Sequence, residues 1–324
     1  MELILTDING KDLRILDYKT CDFDLKDNFD FAVVIDADDW SSDIKIGGRI
    51  YVPDSEIGGR IGGIETNTAD NTITLKGYTW RGYLNKRIIS PPNGSAYKTV
   101  KGEVNTIIRS EIDSLYDGVI KGSADITDCV ISAYSYDRYT TVLAGITKML
   151  RTKNYRPDIK YIQCEQDTAG YVEVSAVPIV DYSESIELSQ DNKLNFIMDH
   201  VQNGINHLIA LGSGELEQRK VIHFYLSQDG EIGKTQYYKG IDEITETYEN
   251  ANSEDLEDDA IKHFGEICSV SSFSMDIEQL DIDIAIGDII GGRDYITGIS
   301  MKKSLAGKII TDNEELSIEY VLEE

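Results

Sequence analysis

A chain of 324 residues is about twice the commonest domain size, and 41% hydrophobic with 27% charged residues is the makeup of a packed protein rather than a disordered one. Its 58 acidic residues against 31 basic ones leave a formal net charge of -27, which repels phosphate backbones and argues against general nucleic-acid binding. No apolar run approaches the ~20 residues of a membrane helix, the N-terminus MELILTDINGKD lacks the parts of a signal peptide, and Cys21, Cys129, Cys164 and Cys268 form no CxxC pair. The expectation is a chain made in a cytoplasm, with no membrane anchor and no zinc site.

Residues 1–97 read as strands. ELILTDINGKDLRIL places an Asn9-Gly10 turn between two apolar segments, a strong hairpin signal. Cys21, Phe23 and Leu25, then Phe29, Phe31, Val33 and Ile35, keep the two-residue period of half-buried strands. Glycines at 47, 48, 58, 59, 62 and 63 punctuate short apolar pieces, as in tightly bent sheets, and TITLKGYTW closes the set.

Pro91-Pro92-Asn93-Gly94 marks a boundary. Residues 98–190 then read as an α+β unit. EVNTIIRSEIDSL and YDRYTTVLAGITKML carry helical spacing, with Val142, Ile146 and Leu150 on one line, and they alternate with strand-like IKYIQCE and GYVEVSAVPIV.

From 191 to 324 strands return in NHLIALG and KVIHFYLSQDGEIG, the latter with an Asp229-Gly230 turn. A helical insertion is expected at about 229–268 in two segments, DEITETYEN and SEDLEDDAIKHFGEI, the second capped by Ser253. The tail reads as strands. The predicted fold class is α+β, mainly β: two related antiparallel β-barrel domains with an α+β domain between them and a small helical insertion in the second barrel.

The relation between the barrels rests on a repeat. Asp43-Ile44-Lys45-Ile46-Gly47-Gly48-Arg49-Ile50 and Asp283-Ile284-Ala285-Ile286-Gly287-Asp288-Ile289-Ile290 share D-I-x-I-G-x-x-I. Both follow a strand-like segment and precede glycine-broken strands. Chance recurrence of common residues is the alternative; the matching context favours duplication.

Catalytic signatures are missing. His200, His207, His223 and His263 fall in no HExxH, Gly212-Ser213-Gly214 reads as a turn, and no phosphate-cradling glycine loop is present. Asp36-Ala37-Asp38-Asp39 lacks the Gly and distal Glu of a calcium loop and reads as a solvated strand end. Glu254 to Asp259 reads as a helix start with a solvated face. No catalytic residue, cofactor or metal is assigned, and among 58 acidic residues no glycosidase pair stands out.

One stretch breaks the acidic pattern. Between Asp70 and Glu103 there is no acidic residue, while Lys76, Arg81, Lys86, Arg87, Lys98 and Lys101 fall there beside Tyr78, Trp80 and Tyr83. Such a mix suits single-stranded nucleic acid, but the rest of the chain opposes a polynucleotide. A protein interface built on Trp80, Arg81, Tyr83, Lys86 and Arg87 fits better, because Tyr, Trp and Arg are enriched at interface centres and a basic patch docks on an acidic neighbour. Completion of the first barrel's core by Tyr78 and Trp80 stays open beside it.

TITLKGYTWRGYLNKRIISPPNG, INHLIALGSGELEQR and IAIGDIIGGRDYITGISMKKSLAGKI resemble segments of tail-tip or baseplate hub proteins of phages and prophages of Gram-positive bacteria, the siphovirus tail-protein family of ReqiPepy type. The resemblance spans nearly the whole chain and its motifs are structural. It implies a homotrimer whose six barrels match a sixfold tail tube or distal tail protein, with a spike, fibre or receptor-binding component below and DNA only as passing cargo. It also implies a structural protein of the virion, assembled in the host cytoplasm. The chain ends directly after its last barrel strand, without the long extension of many tail-tip proteins, so lytic or receptor-binding activity is expected in another protein. The rival readings are a cell-wall glycan-binding or glycan-hydrolysing module and the hub of a contractile injection particle.

Overall fold

The computed structural model describes residues 1–163, 168–183, 195–199, 204–228, 230–250, 256–268, 272–276, 284–293, 296–298, 300–313 and 315–323. Two compact units emerge, residues 1–195 with 275–323, and residues 196–274.

In the larger unit, β1 (Ile4–Thr6) and β2 (Asp12–Ile15) form the first hairpin, followed by β3 (Thr20–Asp24), β4 (Asp30–Asp36), β5 (Arg49–Tyr51), β6 (Gly58–Asn67) and β7 (Thr72–Thr79). The hairpin tip uses Gly10 at φ +90, and the Asp7 carboxylate accepts the N–H groups of Asn9 and Lys11. Cys21 and Phe23 on β3, and Phe31, Val33 and Ile35 on β4, are the buried apolar residues, as the two-residue period requires. The strand reading stops at Thr79, whose hydroxyl accepts the N–H of Gly82 and starts a short helix, α1 (Trp80–Asn85).

The α+β segment follows: β8 (Thr99–Glu103), α2 (Val104–Ile112), β9 (Ile120–Gly122), β10 (Val130–Ser135), α3 (Val142–Arg151), β11 (Tyr155–Ile162) and β12 (Tyr171–Pro178). β11 and β12 pair antiparallel, β9 joins β12 in parallel, and β10 pairs with β8. Val142, Ile146, Met149 and Leu150 of α3 and Ile107, Ile108 and Ile112 of α2 share one core with Ile159, Tyr161, Val172 and Val174. The 3.6-residue spacing put these side chains on the buried faces. α1 drops Trp80 and Leu84 into the same core.

The smaller unit holds β14 (His207–Leu211), β15 (Val221–Leu226), β16 (Ile232–Gly233), β17 (Thr245–Glu249) and α4 (Leu256–Ile267), between β13 (Asn195–Asp199) and β18 (Ser272–Asp276), which pair with each other. Its sheet runs β16-β15-β14-β17, and Leu256, Ala260 and Phe264 of α4 meet Leu208, Ala210, Phe224 and Leu226. DEITETYEN, expected as helix, is corrected to strand: Thr245 to Glu249 pair in parallel with His207 to Leu211. Its Thr245, Thr247 and Tyr248 favour a pleated, half-buried edge, and long-range pairing overrides the helical preference of its glutamates. Cys164, Asp229, Ser253 and the start of the acidic run lie outside the described residues.

The last strands are β19 (Ile289–Arg293), β20 (Ser300–Asn313) and β21 (Glu315–Leu322). They share a sheet with the first seven. Ten strands run in the order β19-β20-β3-β4-β7-β6-β5-β1-β2, with β21 also on β20, and every pairing is antiparallel. The fold is α+β, mainly β. No described helix is long and apolar enough to cross a membrane.

Candidate interaction surfaces

The sequence repeat is a structural repeat over its described residues. In the first copy Gly47 sits at φ +98, Gly48 N–H donates to Lys45 O at 3.0 Å, Gly47 N–H donates to Ile61 O at 2.8 Å and Ile61 N–H returns to Gly48 O at 2.8 Å. In the second, Gly287 sits at φ +101, Asp288 N–H donates to Ala285 O at 3.0 Å, Gly287 N–H donates to Leu305 O at 2.8 Å and Leu305 N–H returns to Asp288 O at 2.8 Å. Ile44 and Ile284 are buried before the turn, and Ile50 and Ile290 after it. A left-handed backbone at the same place explains why both copies keep Gly there.

The strands continue the match. β5 pairs β6 and β6 pairs β7, with a bulge between Ile61 and Gly63; β19 pairs β20 and β20 pairs β21, with a bulge between Leu305 and Gly307. Asp283, the first residue of the second motif, lies outside the described residues.

The copies differ where they meet the α+β segment. Asp288, in the place of Gly48, accepts the Nε–H of Arg156 at 2.8 Å and the N–H of Val180 at 2.9 Å. Arg49 of the first copy donates from Nη1 to Gly170 O at 2.6 Å and approaches the Tyr161 hydroxyl. The Tyr161 ring stacks on Tyr51 and lies against Trp80, with centroids 3.7 and 5.5 Å apart. A cavity of about 350 Å³ opens beside this joint, yet its charged lining is largely paired, Arg81 with Glu56, and Arg156 and Lys160 with Asp158.

The cationic-aromatic stretch divides into a buried and an exposed part. Trp80 is fully buried, and Arg81 is 6% exposed with its Nε 2.6 Å from Glu56. Tyr83 is half-buried beside Tyr78, while Lys86 and Arg87 are exposed. Lys86 lies over the Tyr78 ring at 5.1 Å, and Arg87 donates to Leu115 O at 2.9 Å. The positive excess is partly answered from within the chain, since Lys76 pairs with Glu65 and Lys98 with Glu111. The surface that the stretch offers is thus Tyr78, Tyr83, Lys86 and Arg87; of the two aromatics that could complete the core, Trp80 does so and Tyr78 stays exposed.

Other polar residues serve the backbone. Glu103 caps α2 through the N–H groups of Asn105 and Thr106 and holds Thr127. Burial works against its charge, but these backbone donors outweigh it and bring the carboxyl down to about 2. Asp36 starts a short turn over Ala37–Asp39 and pairs with Lys19. Among the described residues no group of three or more His, Cys, Asp or Glu could hold a metal ion.

One cluster carried no sequence signal. His207, 7% exposed, contacts Glu243 Oε1 at 2.7 Å through Nδ1 and His223 Nδ1 at 2.8 Å through Nε2, with Tyr225 stacked on its ring. The successive strands β14 and β15 and the turn before β17 bring these residues together across 16 and 36 positions, so no local motif announces them.

The mainly β chain, with its duplicated strand-turn unit and intervening α+β segment, shares its fold with solved phage and prophage tail proteins. No family model matches the chain, and no curated protein matches it. Among solved structures it shares the fold of a tail protein from Neisseria meningitidis MC58, at 15% identity and a TM-score of 0.51, covering 100% of this chain and 97% of that one. A 43 kDa tail protein of prophage MuSo2 from Shewanella oneidensis matches at 11% identity and a TM-score of 0.54, covering 100% and 98%. A prophage tail protein from Listeria monocytogenes EGD-e matches at 9% identity and a TM-score of 0.51, covering 99% and 94%.

Proposed function

We propose that this chain is a non-catalytic structural protein of a phage or prophage tail, of ReqiPepy type, and that three copies form a hub at the tail tip or baseplate. The observation that carries the reading is the pair of like strand-turn units, Ile44 to Ile50 and Ile284 to Ile290, within one sheet. Three such chains present six similar units, which suits a sixfold tail tube or distal tail protein above, while the remaining surfaces face a threefold spike, fibre or receptor-binding component. The fold shared with three tail proteins supports this placement in a virion. A net charge of -27 supports a lumen through which DNA passes without binding.

On this reading residues 1–97 are the tube-facing barrel domain, 98–190 the α+β domain and 191–324 the second barrel with its insertion at about 229–268. Lys86 and Arg87 meet an acidic surface of a neighbouring tail component. Images of the assembled particle test the proposal: three copies in one ring around the channel are expected. One copy per particle, or turnover of peptidoglycan by the purified chain, counts against it.

A further inference from the structure

We propose that the outer edge of β6, over Ile64–Asn67, is a strand-pairing site for a second copy of this chain. The inference rests on the hub reading and names the contact through which the hub assembles.

The duplication supplies the comparison. Ile61 answers to Leu305 and Gly63 to Gly307, each pair flanking the bulge in its own copy. Past the bulge β20 has a neighbour on both sides. β21 lies on one, and on the other β3 pairs Asp24 to Thr20 against Ile309 to Asn313, with Leu25 N–H donating to Lys308 O at 2.9 Å. Past its own bulge β6 has β7 on one side, and among the described residues no strand lies on the other.

The glycines report the same asymmetry. A Cβ on Gly307 would lie 2.5 Å from Lys26 Cβ, whereas no described atom lies within 4 Å of one built on Gly63. Ile310 is 2% exposed beneath β3, while Glu65, Thr66 and Asn67 are open to solvent. One local architecture is therefore filled in the second copy and vacant in the first. A row of unpaired backbone groups on such an edge templates another strand.

The internal pairing also points to the occupant. β20 of the second unit receives β3, the strand that leads the first unit. The strand that leads the second unit is β13, which pairs with β18 ahead of its turn as β3 pairs with β4 ahead of the other. β13 of one copy on β6 of the next continues the alternation head to tail, and a heterologous contact of this kind closes into a ring when the rotation allows.

Gly63→Tyr tests the contact. Gly63 lies outside the left-handed region and a side chain there meets open space, so the variant is expected to fold with the melting temperature of the wild type. Its self-association, measured by sedimentation, is expected to weaken by about 100-fold or more. Hydrogen exchange on the wild type is the second measurement, with the amides of Ile64 and Thr66, which face away from β7, becoming protected only on assembly. A wild-type ring that Gly63→Tyr leaves intact, or whose Ile64 and Thr66 amides still exchange freely, overturns the pairing and leaves the hub reading standing. Ile64 and Thr66 amides protected in the monomer overturn it in favour of a cover from the same chain. A wild type that does not self-associate, alone or in the particle, overturns both.

Discussion

Arg156 and Asp288 form an ion pair that is all but sealed from water: Nε lies 2.8 Å from Oδ1, and the side chains are 11% and 2% exposed. It ties strand β11 to the second strand-turn unit. Burial works against the guanidinium charge, but the Asp288 hydrogen bond outweighs it, helped by Asp158, and raises the pKa of Arg156. Removing Asp288 leaves the buried guanidinium with Asp158 alone and takes the acceptor from the Val180 N–H, so Asp288→Ala should cost about 1–3 kcal/mol in urea unfolding. A loss under about 1 kcal/mol, the range of exposed pairs, would refute that account.

The two left-handed glycines should behave alike. Gly47→Ala and Gly287→Ala force an L residue to φ near +98 and +101, and each is expected to lose about 1–3 kcal/mol. Gly287→Ala should lose more, because its new methyl lies 3.0 Å from Arg156 Cβ, close to the backbone, whereas at Gly47 the atom 3.0 Å away is the far end of the flexible Arg60 side chain. Thermal melts of both variants check the order; a neutral Gly47→Ala contradicts the shared turn.

Glu103 makes stability depend on acid. Its folded pKa, about 2, lies below the ordinary 4.5, so its contribution is present above the ordinary value and is lost as pH falls through the folded one. Glu103→Gln should therefore lower stability near neutral pH and flatten its decline between about pH 5 and pH 2. Loss of the cap in Glu103→Ala should cost about 1–2 kcal/mol at neutral pH. Melts across the pH series read both.

The cationic-aromatic stretch should split by burial. Trp80→Ala opens a cavity in the core around Tyr161 and should cost about 3–5 kcal/mol. Lys86→Glu with Arg87→Glu should leave the melting temperature nearly unchanged while weakening attachment to the tail, followed by co-sedimentation with particles. Unchanged attachment would remove these two residues from the interface.

What the sequence reveals here follows the reach of each signal. Phe31, Val33 and Ile35 alternate, and Val142, Ile146 and Leu150 recur at helical spacing, because burial of one face imposes a local period. The repeated Gly47 and Gly287 are legible because the turn needs a left-handed residue. Where pairing joins distant segments, local reading fails: Thr245 to Glu249 become a strand only because β14 offers them an edge. The same limit hides the His207, His223 and Glu243 contacts. Trp80 and Arg81 show the converse, since Trp, Tyr and Arg enrich both interface centres and core joints, and composition alone does not separate the two.

The β3–β20 ladder joins Asp22 to Thr311 across a sequence separation of 289. During synthesis the flank of β3 has no partner until the β20–β21 hairpin leaves the ribosome, so closure is late and slow, as long-range strand pairing is. Nascent or prematurely terminated chains carry a naked, adhesive flank that the finished molecule hides. Faithful synthesis through Asn313 is thus what keeps the product from clumping.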